Sequence, residues 1–266
     1  MSSYVWNGAV WSRADRLGFT DPADGKAKEA REVYLWDIQT NKFVRVYVKA
    51  RTYRDDFNRS NGNLGADWNA TVMSNPQASI YGNAAQAADV NDNTGRQAAS
   101  WVQNAFALNR NTGFVRAQLT TSRWSNAQNN YTTLYLGGHS TFGTSTFCYL
   151  SVSTGSSSYI TTCSTVPNGA GNAATGGSNQ TTRATGSSVG ANDLIEFRRE
   201  RNNSTGVYTY TGYRNGSAFI AWSDNTAIVP VGSGMRSWGF CIEANDPLFQ
   251  VQYASPGIDW IEAGDL

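Results

Sequence analysis

The sequence predicts an all-β protein: an antiparallel β-sandwich preceded by a small β-hairpin unit. Three observations carry this reading. Asn, Ser and Thr account for 76 of the 266 residues and Gly for 26 more, a surplus of turn and loop formers. Aromatic residues make up 12%, nine of them Trp, which suits pleated half-buried strands and excludes a disordered chain. Short apolar and aromatic runs recur between turn signals, whereas the Ala, Glu, Lys and Leu of a helical bundle do not dominate.

The first element group is basic and short. All four Lys (Lys26, Lys28, Lys42, Lys49) precede residue 50. Residues 1–52 hold nine basic and six acidic side chains, and the remainder twelve and fourteen. This places a boundary near residues 50–53, between a unit of residues 1–52 and a body of residues 53–266. Tyr4-Val5-Trp6, Asn7-Gly8 and Ala9-Val10-Trp11 read as strand, tight turn and strand. Tyr34-Leu35-Trp36-Asp37 echoes that pattern and leads through Thr40-Asn41 to Phe43–Val48. Residues 20–25 read as loop, and Lys26–Glu32 as a short helical turn. Two hairpins make a marginal core alone, so this unit is expected to pair with another chain.

Strands are expected in the body at 79–81, 98–102, 113–119, 131–136, 147–152, 159–163, 193–198, 206–210, 218–222, 237–242 and 257–261. Apolar and polar positions alternate over 114–119 and 194–198. Asn215-Gly216 is a second tight turn. Residues 164–190, almost wholly Gly, Ser, Thr, Asn and Ala, read as a long exposed loop or low-complexity insertion.

Charge and cysteine usage exclude several functions. Charged residues are only 15%, against a usual ~25%, and the net charge is +1. No basic footprint for nucleic acid or an anionic membrane results. No run of 18 apolar residues appears, so no segment is expected to cross a bilayer. The opening Met1-Ser2-Ser3-Tyr4 lacks the pattern of a secretion signal, so the protein is expected to remain in a cytosol or to leave it by lysis or assembly. Cys148 and Cys163 flank a turn at 154–157. A hairpin there would set them opposite each other, either bridged or as two reduced thiols on one face. Zinc is disfavoured by a single His and no CxxC.

Asp55-Asp56-Phe57-Asn58-Arg59-Ser60-Asn61-Gly62-Asn63-Leu64-Gly65-Ala66-Asp67-Trp68 resembles the D-x-F-N-R-x-x-G-x-L-G-x-x-W opening of concanavalin-like (laminin-G-like) jelly-roll modules. Such modules are common in minor tail proteins of phages infecting mycobacteria and related actinobacteria. The ending Ala254–Leu266 is similar to the module's closing strand, and the Trp-Asn-Gly-x-x-Trp segment to short repeats of such virion proteins. The resemblance implies a jelly roll over 53–266, a location in the virion, attachment to other virion proteins through residues 1–52, a homo-oligomer (a trimer), and adhesion to host cell-wall glycan. A non-adhesive capsid or tail decoration protein is the alternative, and a carbohydrate-active hydrolase a third reading.

Within the motif, Phe57 and Trp68 are expected as inward residues of paired strands, with Asp56 and Arg59 tying the first strand to the last. Catalysis is not expected. Glycoside hydrolysis needs two closely spaced carboxylates, yet Glu196 has no acidic neighbour two residues away, and Glu243 and Asp246 are three apart. His139 lies in a Gly-rich loop without a nucleophile motif. Candidate glycan contacts are Trp124 with Asn129 and Tyr131, set among polar neighbours, and Trp222. Trp101 and Trp238 are expected in the core. A structural Ca²⁺ could be held by Asp56 with Asp259, or by Asp89 and Asp92 in an oxygen-rich loop.

Overall fold

The computed structural model describes residues 4–6, 11–13, 18–20, 27–29, 32–37, 42–48, 50–73, 78–87, 95–103, 106–124, 130–139, 145–163, 180–246 and 252–266. All regular structure among them is β. The chain divides into two compact units, Met1–Ala50 and Arg51–Leu266.

The first unit holds three antiparallel hairpins: β1 (Tyr4–Trp6) with β2 (Trp11–Arg13), β3 (Gly18–Thr20) with β4 (Ala27–Glu29), and β5 (Glu32–Asp37) with β6 (Lys42–Val48). The middle hairpin corrects the sequence reading, which has a helical turn over Lys26–Glu32. Pairing with β3 overrides the high helical propensity of that Lys-, Ala- and Glu-rich stretch.

The second unit is a sandwich of two antiparallel sheets. Its strands are β7 (Thr52–Asp55), β8 (Trp68–Met73), β9 (Ala78–Tyr81), β10 (Ala84–Ala87), β11 (Gly95–Gln103), β12 (Gly113–Thr120), β13 (Thr132–Gly138), β14 (Phe147–Val152), β15 (Ser158–Cys163), β16 (Gln180–Gly186), β17 (Leu194–Arg201), β18 (Tyr208–Arg214), β19 (Ser217–Asp224), β20 (Ser237–Asp246), β21 (Tyr253–Ala254) and β22 (Gly257–Asp265). One sheet runs β19-β18-β17-β12-β22-β10-β9, with β7 also on β22; the other runs β16-β15-β14-β13-β20-β11-β8, with β21 on β20. Strand β16 lies inside the stretch read as a loop over 164–190; residues 164–179 lie outside the described residues.

The first and last strands of this unit lie side by side, as the sequence predicts. Asp55 stands opposite Ile261, and Thr52 opposite Gly264. Asp265, at the end of β22, accepts the backbone N–H of Arg51 (2.9 Å) and of Arg110 (2.8 Å).

Alternation decides which side chains enter the core. On β12, Val115, Ala117 and Leu119 are buried between the sheets while Phe114, Arg116 and Gln118 face outward. Leu134, Leu136, Leu150, Ile160, Phe240 and Ile242 meet them from the other sheet. That second sheet is buried on both faces: Tyr135, Phe147, Tyr149, Cys163 and Cys241 form a separate cluster on its far side. Trp238 is fully buried, as expected, and donates its indole N–H to Phe106 O at 2.9 Å.

Cys148 and Cys163 do not face each other. Phe147 pairs with Cys163, and Cys148 with Thr162. This register lies one residue from the expected one, which sends the two sulfurs to opposite faces. Cys148 belongs to the inter-sheet core and Cys163 to the outer cluster; all three Cys are buried and none is in a disulfide.

Candidate functional site

The opening motif builds a knot around Asp55, the last residue of β7. Its Oδ1 accepts the Phe57 N–H at 2.8 Å and Arg59 Nη1 at 2.7 Å; its Oδ2 accepts Arg59 Nη2 at 3.0 Å and Trp68 Nε1 at 2.8 Å. Arg59 Nη2 also donates to Leu64 O at 2.6 Å. Burial raises the Asp55 carboxyl pKa, but the bonds from Arg59, Trp68 and Phe57, with the Arg59 charge, outweigh burial and hold it below the ordinary value. The motif therefore ties β7 to the loop ahead of β8 through Asp55 and Arg59, whereas Asp56 with Arg59 was expected to tie the first strand to the last. Phe57 is inward and fully buried, but it lies in the loop at φ +50° rather than in a strand. Its ring sits 5.9 Å from those of Trp68 and Phe240.

The knot forms the base of a cavity of about 540 Å³. Tyr53, Arg54, Asp56, Gly65, Ala66 and Asp67 line it together with Asp55, Arg59 and Leu64. Asp67 Oδ2 accepts the Tyr53 hydroxyl at 3.1 Å. The Arg54 guanidinium lies 3.9 Å over the Trp260 ring and 3.8 Å from Glu262, which also accepts from Arg116 at 3.1 Å. The cavity thus carries carboxylate acceptors and guanidinium donors beside the Tyr53 ring.

The loop that walls the cavity is pinned to the β9–β10 hairpin. Gly62 and Ile80 exchange both backbone hydrogen bonds (3.1 and 2.6 Å), and Asn61 Oδ1 accepts Gly82 N–H at 3.1 Å. Gly82 and Asn83 have φ of +59° and +62°, the geometry of a two-residue tight hairpin. The turn leaves Tyr81 at the tip of the edge strand β9, with 45% of its surface exposed. The Arg123 guanidinium lies 4.1 Å from the Tyr81 ring centre and 4.8 Å from that of Trp124. Gln86 holds this segment by accepting Arg123 N–H (3.2 Å) and donating to Thr121 O (3.1 Å). Tyr81, Arg123 and Trp124 therefore form an aromatic–cation–aromatic rung at one sheet edge, on the hairpin to which Asn61 and Gly62 of the motif loop are bonded.

Of the sequence candidates, Trp124 lies in this rung and Asp56 in the cavity wall. Trp124 is only partly exposed and packs on the core. Asn129 lies outside the described residues. Tyr131 is buried; its N–H donates to Glu243 Oε2 at 2.8 Å and its hydroxyl to Ser156 Oγ at 3.2 Å, so it presents no open face. Trp222 sits on β19, at the opposite edge of the sheet from Tyr81. There it stacks on Tyr210 (5.6 Å, 23°), with Arg183 at 5.4 Å from its ring. Tyr81, Arg123 and Trp260 were not singled out from sequence. The Gly82-Asn83 turn is the signal that would have marked Tyr81 as an edge-tip residue.

Asp56 and Asp259 are both exposed, and Asp56 accepts Asn58 N–H at 3.1 Å. Among the described residues no group of three or more His, Cys, Asp or Glu is placed to hold a metal ion. Asp89 and Asp92 lie outside the described residues. Glu196 is bound to Arg198, and Glu243 is fully buried beneath Tyr131.

No curated protein matches the chain. Solved structures similar to it include an endo-1,3-β-glucanase from Streptomyces sioyaensis (12% identity over 81% of this chain and 96% of that one, TM-score 0.45). Others are the carbohydrate recognition domain of Emp47p (6%, 80% and 94%, TM-score 0.45) and the lectin UEA-II complexed with galactose (9%, 81% and 99%, TM-score 0.42). Residues 35–266 match the family described as a domain of unknown function (DUF7257), and the chain belongs to that family.

Proposed function

We propose that this member of the DUF7257 family is a phage virion protein, a minor tail protein whose sandwich binds host cell-wall glycan at the β9 edge. The observation that carries the binding reading is the exposed Tyr81 ring, backed by Arg123 and Trp124, on a hairpin bonded to the motif loop that also contributes to a polar cavity of about 540 Å³. An aromatic face takes the C–H face of a sugar. Asp56, Asp67 and Arg54 offer acceptors and donors for its hydroxyls, and a concave pocket of this size suits a small ligand. The cavity holds three carboxylates, Asp55, Asp56 and Asp67; Asp55 has both oxygens taken by donors, so in this reading it shapes the site and is not a proton donor. The virion assignment is supported by the opening motif, whose Asp, Phe, Arg and Trp are all used in the knot. In this reading residues 1–52 dock on other virion proteins, the protein is a homo-oligomer, a trimer, and it resides in the particle.

Two measurements test the proposal. On a glycan array of actinobacterial wall oligosaccharides, the full chain is expected to bind a defined subset and to leave it uncleaved, and Tyr81→Ala to lose at least tenfold in affinity. Immunogold labelling of intact particles is expected to decorate the tail tip. Label on the particle with no glycan bound would instead establish the non-adhesive decoration role.

A further inference from the structure

Strand β19 ends its sheet. It pairs with β18 on one side, and among the described residues no strand pairs with its other side. The outward backbone groups of Ser217–Trp222 therefore form an open edge, of the kind that takes a further strand. Such edges are usually blunted by Lys, Pro or other charged side chains. The exposed residues of β19 are Ser217, Ala218, Ala221 and Ser223, none of them a blunting residue. One bulge, where the pairing shifts between Gly212 and Tyr213, interrupts the strand and leaves Ile220–Asp224 regular.

The surroundings of this edge are also uncharged. Between Arg214 and Arg236 the one charged residue is Asp224. It is buried, and its two oxygens accept the N–H groups of Ile228 (2.9 Å) and Val229 (2.8 Å). That clamp sets Val229 in the core and leaves Ile228 and Val231 outside, 37% and 38% exposed. They are two of the four exposed large apolar side chains among the described residues. An edge without charge suits its own copy. Antiparallel pairing about a two-fold axis sets a strand against itself, so a charged edge would be repelled. Alternation is also kept: Ile220 and Trp222 turn inward and Ala221 and Ser223 outward. A two-fold axis centred on a residue of the strand sets inward residues opposite inward ones. The copy's Ile220 and Trp222 then continue the inter-sheet core beyond the stack of Trp222 on Tyr210.

We propose that β19 is a self-association edge: it pairs antiparallel with β19 of a second copy of this chain, joining two sheets into one, with Ile228 and Val231 packing beside the junction. The contact does not rest on the glycan reading, because Tyr81 lies at the opposite edge of the sheet.

The test uses the full chain. In size-exclusion chromatography with light scattering, the wild type is expected to show twice the mass of the double variant Ala221→Lys, Ser223→Lys. The ratio holds whether the pairing units are single chains or the trimers proposed above. Both substituted side chains are exposed, so the variant is expected to fold, as circular dichroism would show, and to keep its glycan binding. Ile228→Ser with Val231→Ser is expected to raise the concentration needed for pairing at least tenfold. In the wild type, hydrogen exchange over 217–222 is expected to slow as protein concentration rises. Equal masses for the wild type and the folded Lys variant, or exchange over 217–222 independent of concentration, would overturn the proposal; the exchange result decides alone if the variant does not fold.

Discussion

Asp55 is the residue on which the edge of the sandwich hangs. It collects a backbone N–H, two guanidinium donors and an indole N–H within 3.0 Å. Removing its charge leaves Arg59 and Trp68 short of partners. Complete loss of a buried pair costs ~3–5 kcal/mol; Arg59 is 38% exposed, so water takes over part of its role. Asp55→Asn is therefore expected to lower stability by about 2 kcal/mol in urea unfolding at pH 7. The sign of the pH effect follows from a carboxyl whose pKa is lower folded than unfolded. Its contribution is complete above the ordinary value of 3.8 and disappears as pH falls through the folded value. The wild type is expected to lose stability below about pH 4 more steeply than the Asn variant, as thermal unfolding across pH 2–6 would show; parallel curves would count against the knot. Gly137→Ala is expected to destabilise strongly, because the added methyl group meets both the Arg199 guanidinium and an unfavourable positive φ.

The hairpin of β14 and β15 shows what pattern reading reaches among the elements. Its existence was legible from two apolar runs around Thr154-Gly155-Ser156-Ser157. Its register was not, because several turn conformations fit those residues and each shifts the pairing. One residue of shift moves Cys163 to the other side of the sheet from Cys148. Mass spectrometry of the air-oxidised, denatured protein is expected to find three alkylatable thiols; an intramolecular 148–163 bridge would contradict this register. Strand β10 escaped the sequence reading because its Ala-Ala-Gln-Ala carries no alternation, and the bounds of β7 and β8 were not legible from the opening motif alone. They are held instead by neighbours: β7 by β22, β10 by β9 and β22, and β8 by β11. Strand β22 pairs with β12 on one side and with β7 and β10 on the other. Its amides are expected to be among the slowest to exchange with deuterium, and fast exchange over 257–265 would show the closing strand to be loosely held.

Across the whole molecule, composition was enough for the fold class. Turn formers, many aromatics and evenly spaced strands leave a two-layer β protein as the economical solution. The division at Ala50 and Arg51 lies beside the change in lysine usage. The binding surface was legible only in part. Trp124, a sequence candidate, lies in the proposed surface, whereas Tyr81 and Arg123 come together there through the fold, from segments some forty residues apart. Tyr131 is buried among Glu243 and Ser156, and Trp222 stacks on Tyr210 at the far edge of the sheet; polar sequence neighbours reveal neither placement. The glycan reading rests on that assembled rung, and co-sedimentation of the full chain with purified actinobacterial cell wall tests it most directly. The wild type is expected in the pellet, with Tyr81→Ala left in the supernatant while retaining its unfolding temperature. A wild type that stays in solution, or a Tyr81→Ala variant that pellets equally well, would contradict it.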